Sequence, residues 1–161
     1  MSFVHLHVHS HYSLLDGLSQ VGDLVAAAKK QGMNALALTD HANLYGAIEF
    51  YEACVKENIK PLVGCELNIT PYNLDDKNVA EHKYYHLVLL AQNYEGYRNL
   101  IQLVSLAGLR QDTAKPLIDK TQLRKYSAGL IALSGCIEGE VPNILYREKN
   151  YDKAKKAALE Y

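Results

Sequence analysis

The chain has 161 residues, enough for one domain with a true core. Apolar residues make up 48% of it and charged residues 22%, which excludes a disordered segment, and a net charge of −1 supplies no basic surface for wrapping a nucleic-acid backbone. Cys54, Cys65 and Cys136 are odd in number and form no C-x-x-C pair, which argues against a zinc ribbon or a disulfide framework. No apolar run reaches the length of a membrane span and no secretory leader is recognisable, so no membrane partner is expected and a reducing cytoplasm is the expected location.

Residues 3–16 (FVHLHVHSHYSLLD) place His5, His7, His9 and His11 at alternate positions. In an extended strand, side chains alternate between faces, so His5, His7 and His9 share one face with Phe3, while Val4, Leu6 and Val8 fill the other. Same-face neighbours are roughly 6.5–7 Å apart, so two imidazoles can converge on one cation but three overreach it. Two metal ions are expected, or one ion with His5 supporting its ligands from behind. A lone histidine is ordinarily a hydrogen-bonded core residue, and an affinity tag runs consecutively without apolar alternation. Three histidines on one face, followed by Asp16, favour a metal site.

The rest reads as alternating strands and helices. Residues 19–31 form a helix with Val21, Leu24, Val25 and Ala28 on one face, stopped by Gly32. Residues 34–39 are a short apolar strand running into Asp40 and His41. A helix over 47–56 has Ile48, Tyr51 and Val55 as its expected buried stripe, and residues 62–69 form a strand containing Gly64-Cys65-Glu66. Residues 70–83, which include His82, read as a polar surface loop. A strand over 85–91, a long amphipathic helix over 94–109, a loop over 110–120, a short helix over 121–126 and a strand over 129–133 follow. The last strand runs into Ser134-Gly135-Cys136, before a helical turn at 142–147 and a final helix from Tyr151.

This order is the pattern of parallel α/β architecture, in which ligands gather at the carboxyl ends of strands. His7, His9, Asp40, His41, Glu66 and Cys136 all fall at or just past apparent strand ends, whereas His86 starts its strand. About five strands are too few for an eight-stranded barrel, so a longer natural protein is expected. The imidazoles, carboxylates and thiol of His7, His9, Asp16, His41, Glu66, His86 and Cys136 suit zinc, manganese or iron, and a thiolate shifts the choice toward zinc. A bridging carboxylate such as Glu66 suits two ions about 3.5–4 Å apart, the arrangement used on phosphate esters. Cys54 and Cys65 read as core residues, His11 and His82 as exposed, and the Lys153, Lys155, Lys156 run as a solvated helix face.

Five blocks carry a family resemblance: H-L-H-V-H-S-x-Y-S-L-L-D-G, A-L-T-D-H-A-N-L-Y-G, V-G-C-E, Y-H-L-V-L-L-A-Q-N-Y-E-G-Y-R-N-L and G-L-I-A-L-S-G-C. In this order they resemble the PHP (polymerase and histidinol phosphatase) domain that opens bacterial replicative DNA polymerase III alpha subunits. The resemblance implies the N-terminal portion of a distorted (β/α)7 barrel holding two to three divalent metal ions. His7 and His9 match the paired histidines of the first motif, His41 the ligand of the second, and Glu66 the bridging carboxylate. Asp16 and Cys136 fall where phosphatase relatives have histidine ligands. His86 is a looser match, with Asn93 competing for its role, and Asp40 becomes the candidate for catalytic proton handling. The family's last Asp-x-His motif and the polymerase catalytic aspartates have no counterpart in these residues. The implied function is a metal-binding phosphoesterase-like module in DNA replication, with 3′→5′ exonuclease proofreading as one form. A stand-alone phosphatase of the histidinol-phosphatase type and a metal-stabilised scaffold are the alternatives. Implied partners are the remainder of the polymerase, DNA met through it, and replisome subunits such as a proofreading exonuclease and a sliding clamp.

Overall fold

The longest strand is the seam of the sheet. In the computed structural model, which describes residues 3–75, 83–110 and 112–161, β2 (Lys60–Thr70) pairs with strands on both sides. Its first residues run parallel to β1 (Ala35–Leu38), with Leu38 opposite Val63. Its later residues run antiparallel to β3 (Tyr85–Ala91), with Glu66 opposite Val88 and Asn68 opposite His86. The end of β2 also pairs in parallel with β4 (Ile118–Asp119), and β3 pairs antiparallel with β5 (Leu130–Leu133). The order is β1-β2-β3-β5 with β4 on β2, a mixed five-stranded sheet rather than the all-parallel one expected. Apolar strands separated by helices look alike in either direction, and only the hydrogen-bond ladder distinguishes them. His82 and half of the polar loop lie outside the described residues.

Helices α1 (Val21–Lys30) and α2 (Ala47–Lys56) pack on the β1 end, burying Val21, Val25, Leu36, Leu38, Phe50 and Cys54 together. The helix α3 (Tyr94–Leu109) starts at Asn93, whose side chain accepts from Gly96 N at 2.9 Å. Its Leu100, Leu103 and Ala107 pack on Cys65, Leu67 and Ile69 of β2. Because strand side chains alternate, Glu66, Asn68 and Thr70 face the other side of the sheet. Asp119 opens α4 (Lys120–Lys125) with a capping box to Gln122. The chain finishes with α5 (Glu140–Asn143), a π-helical turn over Ile144–Glu148, and α6 (Tyr151–Leu159). Among the described residues, no helix is long and apolar enough to cross a membrane.

Two expectations from periodicity change. On α2 the buried face is Ala47, Phe50 and Cys54, while Ile48, Tyr51 and Val55 are exposed, Ile48 to 62%. Both stripes have helical spacing, so the pattern could not say which one faces the core. Ile48 and Tyr51 instead line an open groove with Pro61, Val63, Tyr94 and Tyr97.

The opening histidine segment is not a regular strand. It runs beside β1 through Ala37 N donating to His5 O (3.0 Å) and Thr39 N donating to Val8 O (2.8 Å). Three residue steps on one side thus match two on the other, and the chain bends at Leu6 and His7. An extra residue of this kind resets which face a side chain takes. His5 is therefore turned outward, exposed and against Phe3 at 4.7 Å between ring centroids, instead of joining His7 and His9.

Candidate metal centre

The end of β1 and the middle of β2 stay in register past the strand itself. His41 bridges Glu66 in parallel, with Glu66 N donating to Asp40 O (3.1 Å) and Ala42 N donating to Glu66 O (2.8 Å). This pairing sets the Glu66 side chain, only 4% of that residue being exposed, under His41. Four imidazoles surround the carboxylate. Glu66 Oε1 lies 3.1 Å from His7 Nε2 and 3.3 Å from His86 Nδ1. Glu66 Oε2 lies 3.0 Å from His41 Nδ1 and 3.5 Å from His9 Nε2.

His7 Nε2 and His9 Nε2 are 3.0 Å apart, and the His41 and His86 rings sit 5.0 Å apart. Among the described residues, two donor groups of three therefore share one member: His7, His9 and Glu66, and His41, Glu66 and His86. Ligand atoms of a tetrahedral cation with bonds near 2.05 Å are about 3.3 Å apart, so this spacing fits the donor set of a zinc-like ion.

The electrostatics agree with the geometry. Burial alone would raise the Glu66 pKa, but hydrogen bonds with His41, His7 and His86 outweigh it and hold the carboxyl well below the usual carboxylate range. Burial lowers the His9 pKa, keeping that ring neutral near pH 7. The hydrogen bond to Glu66 raises that of His86. For Glu66 and His9 this is the protonation state a cation requires of its ligands, whereas His86 would have to give up its proton on binding.

The remaining sequence candidates fall elsewhere. Asp40 is buried behind the imidazoles and accepts from Ser10 N (2.6 Å), Ser10 Oγ (2.8 Å) and Ser13 Oγ (2.7 Å). Both its oxygens are thus engaged in holding the 10–13 loop. Asp16 is exposed and belongs to neither donor group, because the turn that hydrogen-bonds Asp16 N and Gly17 N to Ser13 O carries it outward. Cys136 is exposed on the loop after β5, where Glu138 N donates to its Sγ at 3.5 Å, and it too is in neither group. That loop still borders the centre, since His86 N donates to Glu138 O at 3.0 Å.

Asn93 lies at the far end of β3 and caps α3, so it does not compete with His86. His11, expected to be exposed, is half-buried with its ring 4.1 Å from that of Tyr12. Cys54 and Cys65 are core residues, as expected. Sequence reasoning passed over Ser10 and Ser13, whose only signal was their place inside the histidine motif.

An α/β sheet whose strand ends gather four imidazoles around one buried carboxylate defines the class: a domain with a candidate histidine–carboxylate metal centre. The PHP domain pattern matches residues 5–161, and the chain belongs to that family. It is 46% identical over 161 residues to the DNA polymerase III subunit alpha of Treponema pallidum, a match covering 98% of this chain and 14% of that protein. The corresponding subunit of Chlamydia pneumoniae is 48% identical over 143 residues, covering 88% of this chain and 12% of that one. The chain thus spans about one-seventh of the length of these curated relatives. A Bifidobacterium adolescentis structure provisionally described as a metal-dependent phosphoesterase superposes with a TM-score of 0.47 at 21% identity, over 65% of this chain and 32% of that one.

Proposed function

We propose that this chain is the PHP portion of a bacterial replicative DNA polymerase III alpha subunit, acting there as a metal-dependent phosphoesterase-like module. The observation that carries this reading is Glu66, shared between two histidine groups in the way a bridging carboxylate is shared between two ions. Similarity to polymerase alpha subunits across nearly the whole chain supports the replicative context and disfavours a stand-alone phosphatase. In this reading the sheet is the opening part of a distorted (β/α)7 barrel. Nucleotide addition, DNA and the other replisome subunits are met by the rest of the longer protein in the cytoplasm.

His7 and His9 would hold one cation and His41 and His86 another, with Glu66 between them, and zinc suits this nitrogen-rich set best. A third ion would need ligands beyond these two groups. In this reading Asp16 and Cys136 take no part, since they belong to neither donor group. Bound divalent cations supply Lewis-acid charge to a phosphate ester. The chain's own residues keep the imidazole lone pairs convergent and the carboxylate ionised. In this reading the substrate is a phosphodiester at a DNA 3′ end delivered by the rest of the polymerase, and the module's role is proofreading.

The test is metal content by plasma mass spectrometry on tag-free protein, with hydrolysis of p-nitrophenyl phosphate and of a 3′-labelled oligonucleotide. The chain and the full-length polymerase are assayed together. Two bound ions and chelator-sensitive cleavage, both lost in His9→Ala, are the expected result. Bound metal without cleavage by either protein would make the domain a metal-stabilised scaffold, and metal-free full-length protein would overturn the reading.

A further inference from the structure

Ser13 touches the supports of both histidine groups. It is fully buried. Its Oγ lies 2.8 Å from His9 Nδ1, 2.7 Å from Asp40 Oδ1 and 3.0 Å from His41 N. A hydroxyl has one proton to give and two lone pairs to offer. The amide of His41 can only donate, so it occupies one lone pair. The Asp40 carboxylate, already accepting from Ser10 N and Ser10 Oγ, takes the hydroxyl proton. One lone pair remains, and His9 Nδ1 can satisfy it only as an N–H donor. The proton of the neutral His9 ring is therefore on Nδ1, and Nε2 is a bare lone pair. That Nε2 is the atom facing His7 Nε2 and Glu66 Oε2.

We propose that Ser13 is a positioning residue that selects the cation-binding tautomer of His9 and, by holding the His41 amide, keeps the two donor groups in register. The chain Asp40–Ser13–His9 thereby gives the buried aspartate a purpose that needs no contact with a reactant. Imidazole ligands of metals commonly have the second ring nitrogen fixed by such a partner, and its loss weakens binding by about 10–100-fold. The metal-binding role assigned to Ser13 rests on the proposed function above. The assignment of the proton on His9 does not.

The experiment is long-range 1H–15N correlation of the imidazoles in the 15N-labelled, metal-free chain, paired with zinc affinity by chelator competition. In the wild type, His9 is expected as the Nδ1–H tautomer. Ser13→Ala should lose that preference and bind zinc about 10–100-fold more weakly, while Ser13→Thr, which keeps the hydroxyl, should restore both. An Nε2–H tautomer in the wild type overturns the proposal, as does a Ser13→Ala protein with unchanged tautomer and affinity. Should Ser13→Ala fail to fold by circular dichroism, the wild-type tautomer and the Ser13→Thr affinity still decide. Wild-type protein that shows the Nδ1–H form yet binds no zinc would remove the metal-centre reading and with it the role of Ser13 there.

Discussion

His86 Nδ1 lies 3.3 Å from Glu66 Oε1, although His86 opens its strand and Glu66 lies past the middle of its own. The antiparallel register that sets His86 opposite Asn68 makes this possible. A parallel β3 in the same place would have carried its first residues to the other end of the strand. His86 belongs to one donor group and Glu66 to both. His86→Ala should therefore lower bound metal from two equivalents to one, and Glu66→Gln should abolish both. Titration calorimetry with zinc measures the stoichiometry, and equal losses in the two variants would contradict a shared carboxylate.

Gly96 and Gly22 should respond oppositely to alanine. A Cβ on Gly96 would lie 1.8 Å from Gly129 O, a backbone atom of a residue itself held at φ +70°, so the start of α3 and the entry to β5 would have to separate. Gly22, in α1, has open space around it. Helix propensity favours alanine at both positions, by up to about 1 kcal/mol. The clash should reverse that sign at Gly96, costing about 1–3 kcal/mol, whereas Gly22→Ala should be neutral to stabilising. Urea denaturation of the two variants compares them directly.

The cysteines should divide by reactivity. Only the thiolate attacks a thiol reagent. Burial pushes the Cys54 thiol up to about 11, leaving about one in a thousand ionised at pH 8. Burial also drives Cys65 well above the ordinary thiol range, and Cys136 is exposed. Native protein at pH 8 should consume one equivalent of Ellman's reagent, at Cys136, and denatured protein three.

The C-terminal helices should loosen in alkali. Lys120 Nζ lies 2.9 Å from Glu140 Oε2 and 2.7 Å from Glu160 Oε2, and Tyr161 OH donates to Glu140 Oε2 at 2.7 Å. Burial opposes the charge of Lys120, but the two carboxylates outweigh it and raise its pKa. Burial and the Glu140 hydrogen bond raise that of Tyr161. Groups whose folded-state pKa is raised contribute fully below their unfolded values, about 10–10.4 here, and lose that contribution as pH rises further. The melting temperature should fall above about pH 10, and less steeply in Lys120→Met. At neutral pH that variant leaves Glu140 buried without its cation, a loss on the order of 3 kcal/mol.

Most helix and strand positions were legible because they depend on local spacing; the exceptions are the opening histidine segment, which is bent, and β4, which lies in a stretch read as loop. The α1, α2 and α3 ranges agree with structure to within about two residues, an ordinary margin at helix ends. Of the four imidazoles that meet around Glu66, those of His7, His9 and His41 were legible too, because histidine spacing and the apolar run ending at Asp40-His41 are properties of the chain itself. Hydrophobic periodicity, however, carries no sign: it marks Ala47, Phe50 and Cys54 as readily as Ile48, Tyr51 and Val55.

By itself, the sequence determined the family, most of the helices and strands, and the residue types able to hold a cation. Tertiary structure decided the direction of β3, and with it that His86 and not Asn93 reaches the centre. It decided that an extra residue turns His5 away, that Asp16 and Cys136 stand outside, and that Asp40 grips Ser10 and Ser13. These outcomes depend on hydrogen bonds between residues roughly thirty positions apart, such as Ser10 to Asp40 and Thr39 to Val8. No local pattern encodes such pairings, because each arises only when the sheet brings two segments within about 3 Å.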